Sequence, residues 1–146
     1  VLWGDDFIEV SRPETRPVQA FDLDANHIPD AAMTFVPMAL MTQGAVQLTG
    51  IGSWRVKETD RLAAMACEMR KFGAVVQEGP DFIVVSRSEE GMLKNAAVDT
   101  SDDHRMAMSL ALAACAGVTV TVNDPGCTAK TYPDYFEAFG RLTAHR

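Results

Sequence analysis

Pro29-Asp30-Ala31-Ala32-Met33-Thr34-Phe35-Val36-Pro37-Met38-Ala39-Leu40-Met41 gives a helix almost no polar face, and Asp103-His104-Arg105-Met106-Ala107-Met108-Ser109-Leu110-Ala111-Leu112-Ala113-Ala114-Cys115-Ala116 repeats that character 73 residues later. A helix that is apolar all round has to be covered on every side. A fold containing two such helices places them inside and its strands outside. Pro29 suits a first helical turn, and Gly44 and Gly117 follow the two stretches as C-terminal stops. Pro37 has no amide proton to donate, so it is expected to kink the first helix or delay its start.

The same offset aligns Asp30 with Asp103, Met33 with Met106, Gly44 with Gly117 and Lys57 with Lys130, which reads as a duplicated unit. Each unit is an apolar helix opened by an aspartate, a strand, a second helix opened near a lysine, and a hairpin. Alternation marks strands over Ala45–Thr49 and Val118–Val122. The second helices are expected over 57–72 and 131–142; Leu62, Met65, Met69 and Phe72 form the apolar stripe of the first, and Gly73 ends it. Val75–Ser86 reads as a hairpin turning at Glu78-Gly79-Pro80-Asp81. Gly4-Asp5-Asp6-Phe7-Ile8 resembles Gly79-Pro80-Asp81-Phe82-Ile83, so residues 1–20 read as the hairpin tail of a preceding unit, 21–92 as one repeat unit and 93–146 as a second, truncated one. The expected fold class is α/β (α+β), with buried helices and outer mixed sheets.

With 146 residues and 47% hydrophobic content the chain is able to bury a core. Its net charge of -7 argues against a nucleic-acid partner or an anionic membrane, so any anion site must be a local concentration of positive charge. The three cysteines show no CxxC spacing and read as reduced thiols of a cytoplasmic protein. The most apolar run, Met106–Val118, is too short to span a bilayer, and no charged leader precedes the first residues, so no membrane partner is expected.

Aligned peptide dipoles leave about half a positive charge at a helix N-terminus and disfavour bases there by roughly 0.3–1 kcal/mol each. Arg55, Lys57 and Arg61 nonetheless cluster at the second helix start, His104 and Arg105 at the third, and Lys130 at the fourth. Cations added to a positive dipole end form an anion trap. The bland alternative has Arg55 and Lys57 solvated and Arg61 paired with Glu58 or Asp60. Carboxylates share these places: N-capping accounts for Asp102 and Asp60, whereas Asp30 and Glu58 stand beside the cations as acid or base candidates. Trp54 reads as a packing residue and His27 as a hydrogen-bonded structural histidine.

Asn26-His27-Ile28-Pro29-Asp30-Ala31-Ala32-Met33, Arg55-Val56-Lys57-Glu58-Thr59-Asp60-Arg61-Leu62, Asp103-His104-Arg105-Met106-Ala107-Met108 and Cys127-Thr128-Ala129-Lys130-Thr131-Tyr132-Pro133-Asp134-Tyr135-Phe136 together resemble the EPSP synthase family, in the order that family carries them. The resemblance implies an enolpyruvyl (1-carboxyvinyl) transferase of the shikimate pathway, the glyphosate target family. Its reaction moves the enolpyruvyl group of phosphoenolpyruvate to the 5-hydroxyl of shikimate 3-phosphate and releases phosphate, in aromatic amino acid biosynthesis, with no metal or organic cofactor. It also implies repeated βαβαββ units, as in the inside-out α/β barrel of enolpyruvyl transferases. This chain would be the C-terminal part of the enzyme, inactive alone, with the missing N-terminal portion as its partner.

Carried over by position, the resemblance makes Asp30 the carboxylate accepting the 5-hydroxyl proton and Glu58 the acid protonating the methylene carbon of phosphoenolpyruvate. Lys57 contacts shikimate 3-phosphate, and Arg61, Arg105 and Lys130 hold phosphoenolpyruvate. Lys130 is also a candidate proton carrier, and His104 a nearby hydrogen-bonding histidine. Ser53 departs from the pattern: well-known members carry asparagine there, contacting shikimate 3-phosphate, and a serine hydroxyl donates a single hydrogen bond. Two other readings are a sibling transferase acting on UDP-N-acetylglucosamine and a non-catalytic anion-binding module.

Overall fold

The computed structural model describes residues 1–11, 18–89 and 92–143. Strands β1 (Leu2–Trp3) and β2 (Ile8–Glu9) form an antiparallel hairpin. Strand β3 (Val18–Asp24) leads into helices α1 (Pro29–Ala32) and α2 (Phe35–Met38), a 3-10 turn (Ala39–Met41), and β4 (Thr42–Thr49), which returns parallel to β3. A 3-10 turn over Gly52–Val56, helix α3 (Arg61–Lys71) and the antiparallel hairpin β5 (Ala74–Glu78) and β6 (Ile83–Arg87) complete a mixed sheet of order β3-β4-β6-β5. The second half runs β7 (Ala96–Val98), α4 (His104–Ala111), a 3-10 turn (Leu112–Ala116), β8 (Val120–Val122) parallel to β7, a 3-10 turn (Pro125–Lys130) and α5 (Tyr135–Thr143). Strand, buried helix, parallel strand, 3-10 turn and helix thus follow in the same order in both halves. The fold is mixed α/β, and no closed barrel forms among the described residues.

The helix expected over 29–41 is broken into three short pieces. Pro37 has no N–H for the Met33 carbonyl; Val36 N–H donates to it instead at 3.3 Å, and the Thr34 hydroxyl donates to the Ala31 carbonyl at 2.8 Å. Gly44 is not the helix stop. It lies inside β4 at φ +97°, where the β3–β4 register shifts between Gln19 and Phe21, so its left-handed backbone serves a bulge. Gly117 does close its helix, at φ +84°.

Two further boundaries move, each for a local reason. Helix α3 begins at Arg61 rather than Lys57, because the Asp60 carboxylate accepts Ala63 N–H at 3.0 Å and caps it there. Helix α5 begins at Tyr135 rather than Thr131: Tyr132 precedes Pro133, which disfavours helical backbone before it. Asp103, not Asp102, caps α4, accepting the N–H groups of Arg105 and Met106. His27 is exposed rather than structural.

Met33, Val36 and Leu40 pack with Leu48 and Ile83 of the sheet, with Leu62, Met65 and Met69 of α3, and with Met106 and Leu110 of α4, all of them buried. Within the two apolar stretches only Ala31, Thr34, Ala114 and Cys115 are exposed. The two tight hairpins share one turn: Gly4 N–H donates to the Phe7 carbonyl at 2.9 Å, and Gly79 N–H to the Phe82 carbonyl at 3.0 Å. In each, the phenylalanine ring occupies the space where a glycine Cβ would stand, which explains the shared spacing. No helix among the described residues is long and apolar enough to cross a membrane.

Trp54 is fully buried, and its indole N–H donates to the Pro29 carbonyl at 2.8 Å, tying the turn before α3 to the start of α1. Trp54→Phe removes that bond and part of the packing. Urea unfolding is expected to show a loss of about 1–3 kcal/mol, and an unchanged midpoint would exclude the tie.

Candidate functional site

Arg61 opens α3 with a side chain only 1% exposed, and its guanidinium organises the site. Nε donates to Asp103 Oδ2 at 2.7 Å and Nη2 to Asp103 Oδ1 at 3.3 Å; Nη1 reaches Asp30 Oδ1 at 3.0 Å, and Nη2 also reaches Glu58 Oε2 at 2.9 Å. Around this hub stand three further cations: Lys57 lies 3.6 Å and Arg105 3.3 Å from Asp30, and Lys130 is 2.9 Å from Glu58. Four segments separated in sequence therefore converge on one ion network. Among the described residues it holds four basic and three acidic side chains.

Each side chain reaches the network by a local rule. Asp30 lies in the first turn of α1 behind Pro29. Lys57 and Glu58 lie on the extended lead between the 3-10 turn 52–56 and the Asp60 cap. Lys130 ends the 3-10 turn 125–130 and Lys57 follows the turn 52–56, so the lysines matched by the repeat sit at the ends of equivalent turns rather than at helix starts. Ser53 is exposed on the turn leading to Lys57. His104 is buried at the first position of α4, and its Nδ1 has no hydrogen-bond partner among the described residues.

Arg55 belongs to another cluster. It bonds the Asp60 carboxylate at 2.9 Å, Glu78 at 3.1 Å and the Gly79 carbonyl at 2.7 Å, so it is neither solvated nor part of the trap. Arg61 does pair with Glu58, as one reading of the residues had it, but not with Asp60. Asp103 is the residue that sequence reasoning missed. The one signal for it was its alignment with Asp30, and that says nothing of an arginine 42 positions away. Beside the network a groove lined by Asp30, Ala31, Thr34, Arg105, Met108 and Leu112 opens to solvent.

Electrostatics keep both candidate acid–base groups ionised. Burial pushes the Asp30 carboxyl up, but Arg105, Lys57 and Arg61 together outweigh it and hold the group below the usual carboxylate range. Glu58 is held at about 2, first by the hydrogen bond from Lys130, then by its own backbone N–H, with Arg61 adding to both against a smaller effect of burial. In this state both groups are able to accept protons and neither carries one to give. An anion that draws Lys130 away from Glu58 removes the largest cause of the depression.

A family model described as EPSP synthase (3-phosphoshikimate 1-carboxyvinyltransferase) matches residues 1–139. A protein of Neisseria gonorrhoeae named 3-phosphoshikimate 1-carboxyvinyltransferase is 58% identical over 143 residues, covering 98% of this chain and 33% of the relative. One of the same name from Vibrio cholerae is 54% identical over 143 residues, covering 98% of this chain and 32% of the relative. The chain thus spans about a third of the length of these curated relatives. A solved structure of EPSP synthase from Acinetobacter baumannii superposes with TM-score 0.70 at 22% identity, over 86% of this chain and 30% of that one, a likeness of fold.

A carboxylate depressed by folding adds stability above its unfolded value and loses it as pH falls through the folded one. For Glu58 that window runs from the ordinary 4.5 down to about 2. Carboxyl-carbon NMR titration is expected to place its midpoint near 2, and Lys130→Ala to raise it towards 4.5. An unmoved midpoint in the variant would dismiss Lys130 as the dominant cause.

Proposed function

We propose that this chain, which belongs to the EPSP synthase family, forms one wall of a site that transfers the enolpyruvyl group of phosphoenolpyruvate to the 5-hydroxyl of shikimate 3-phosphate with release of phosphate. The observation that carries this reading is the network around Arg61, which gathers two ionised carboxylates and three solvent-accessible cations from distant segments. Asp30 accepts the proton of the attacking hydroxyl. Glu58 delivers a proton to the methylene carbon of phosphoenolpyruvate; being ionised at rest, it takes that proton from the Lys130 ammonium bonded to it at 2.9 Å, so Lys130 shares the proton transfer. Arg105 and Lys130 take the anionic groups of phosphoenolpyruvate; Lys57 and Ser53 contact shikimate 3-phosphate. His104 helps through a hydrogen bond. Arg61, closed off from solvent, reaches a ligand only by yielding its bond to Asp30 or Glu58.

The names carried by the curated relatives favour this reading over a UDP-N-acetylglucosamine transferase. The remainder of a longer protein supplies the other phosphate ligands, since the chain covers about a third of its relatives. We read residues 1–20 as a hairpin tail, 21–92 as one repeat unit and 93–146 as a second; residues 12–17, 90–91 and 144–146 lie outside the described residues. The cysteines Cys67, Cys115 and Cys127 are unpaired, which supports a cytoplasmic setting.

Two measurements test the function. In a phosphate-release assay the chain alone is expected to show no turnover, because an open, wet site weakens each charge interaction several-fold and loses orientation worth roughly 7–11 kcal/mol. Adding the missing N-terminal portion in trans should restore it; turnover by the chain alone, abolished by Glu58→Gln, would overturn the half-site reading. In the whole protein Lys130→Ala should raise the Michaelis constant for phosphoenolpyruvate and lower kcat about 100-fold. Unchanged kinetics would remove Lys130 from the site. A module that binds inorganic phosphate as well as shikimate 3-phosphate would instead be a generic anion trap.

A further inference from the structure

We propose that Asp103 is a positioning residue of this site: its buried carboxylate fixes the Arg61 guanidinium so that the opposite edge holds Asp30 and Glu58 in place for proton transfer. The inference rests on the functional reading above for its kinetic consequence, but its structural half stands without it.

Three observations carry it. First, Asp103 is completely buried, and an isolated carboxylate in that position is strongly disfavoured unless paired. Its partner is Arg61, bonded through Nε and Nη2 at 2.7 and 3.3 Å, an approach that defines the plane of the guanidinium as well as its place. Second, the donors left over on that plane are those that reach Asp30 at 3.0 Å and Glu58 at 2.9 Å. Rotating the guanidinium about the Asp103 contact moves both carboxylates' partners at once. Third, the chain accepts backbone strain to deliver Asp103. Ser101 and Asp102 stand at φ 54° and 55°, a left-handed conformation unusual for non-glycine residues, in a turn closed by Asp103 N–H donating to the Thr100 carbonyl at 3.0 Å. Strain of this kind persists where surrounding contacts over-determine it, and it concentrates at functional sites.

Helix capping alone does not account for this. Asp103 Oδ1 accepts Arg105 N–H at 2.9 Å, which a serine at this position also does, and that difference supplies the test. Asp103→Ser keeps a capping oxygen but is too short to reach Arg61; Asp103→Asn keeps the shape and removes the charge. In the whole protein both are expected to lower kcat about 100-fold, as misplacing reacting groups by an ångström does, with the Michaelis constants for both substrates moving less than about threefold. Combined with Arg61→Lys, which lacks the Nε–H, neither should lower kcat more than about threefold beyond the worse single variant, because the two residues act as a unit.

A substrate-free readout separates this proposal from the functional one. The Arg61 Nε–H resonance of nitrogen-15-labelled protein should exchange slowly in the wild type and quickly in both Asp103 variants. Slow exchange retained in a folded Asp103→Ser protein overturns the clamp itself. Multiplicative losses in the double variant, or Michaelis constants that rise together with a falling thermal midpoint, overturn the positioning role and leave Asp103 a structural cap. If the wild-type protein transfers no enolpyruvyl group, the functional reading fails while the exchange data still decide the clamp.

Discussion

The pairing of Arg61 with Asp103 is the contact on which the rest of the site depends. A buried ion pair contributes little net stability, because desolvating both charges offsets most of their attraction, yet removing one partner leaves an uncompensated charge and costs about 3–5 kcal/mol. Such a pair acts as a constraint on geometry more than as a source of stability. Here it locks the start of α3 to the start of α4, since the same carboxylate bonds the arginine and caps the second helix. Two helix N-termini, each bearing cations, are thereby held facing one space.

That arrangement explains why so many charges sit where the helix dipole disfavours them. Arg61 and Arg105 at the helix starts, with Lys57 and Lys130 on the leads beside them, are tolerated because Asp30, Glu58 and Asp103 answer them within the same network. Four bases against three acids leave an excess of positive charge. An incoming anion is therefore attracted, and by engaging Lys130 or Arg105 it loosens the hold on Glu58 or Asp30. Ligand binding and the proton affinity of the two carboxylates are linked through shared cations.

The packed helices beneath supply the rigidity this needs. Met33, Leu62, Met65, Met106 and Leu110 are buried without exception, so the starts of α1, α3 and α4 are fixed by a close-packed core. Trp54 adds a hydrogen bond from the turn carrying Lys57 and Glu58 to the backbone beside Asp30. The cluster of Arg55 with Asp60 and Glu78 ties the same turn to the β5–β6 hairpin.

By itself the sequence determined the buried character of the two apolar stretches, the order of buried helix, strand and second helix, the hairpins with their glycine–phenylalanine turns, and the identity of the charged residues, but not the strands β3 and β7 that open the two halves. Those features are local: they depend on side-chain periodicity, a missing amide proton, or a glycine beneath a ring. Tertiary structure decided what local rules do not reach. Gly44 became a bulge because β4 pairs with β3 there, Lys57 and Lys130 fell ahead of their helices because Asp60 and Pro133 start those later, and Asp103 outranked Asp102. The partners of Arg61 were the least legible of all, since a guanidinium chooses among carboxylates by distance in space, and Asp30 and Asp103 lie 31 and 42 residues from it along the chain.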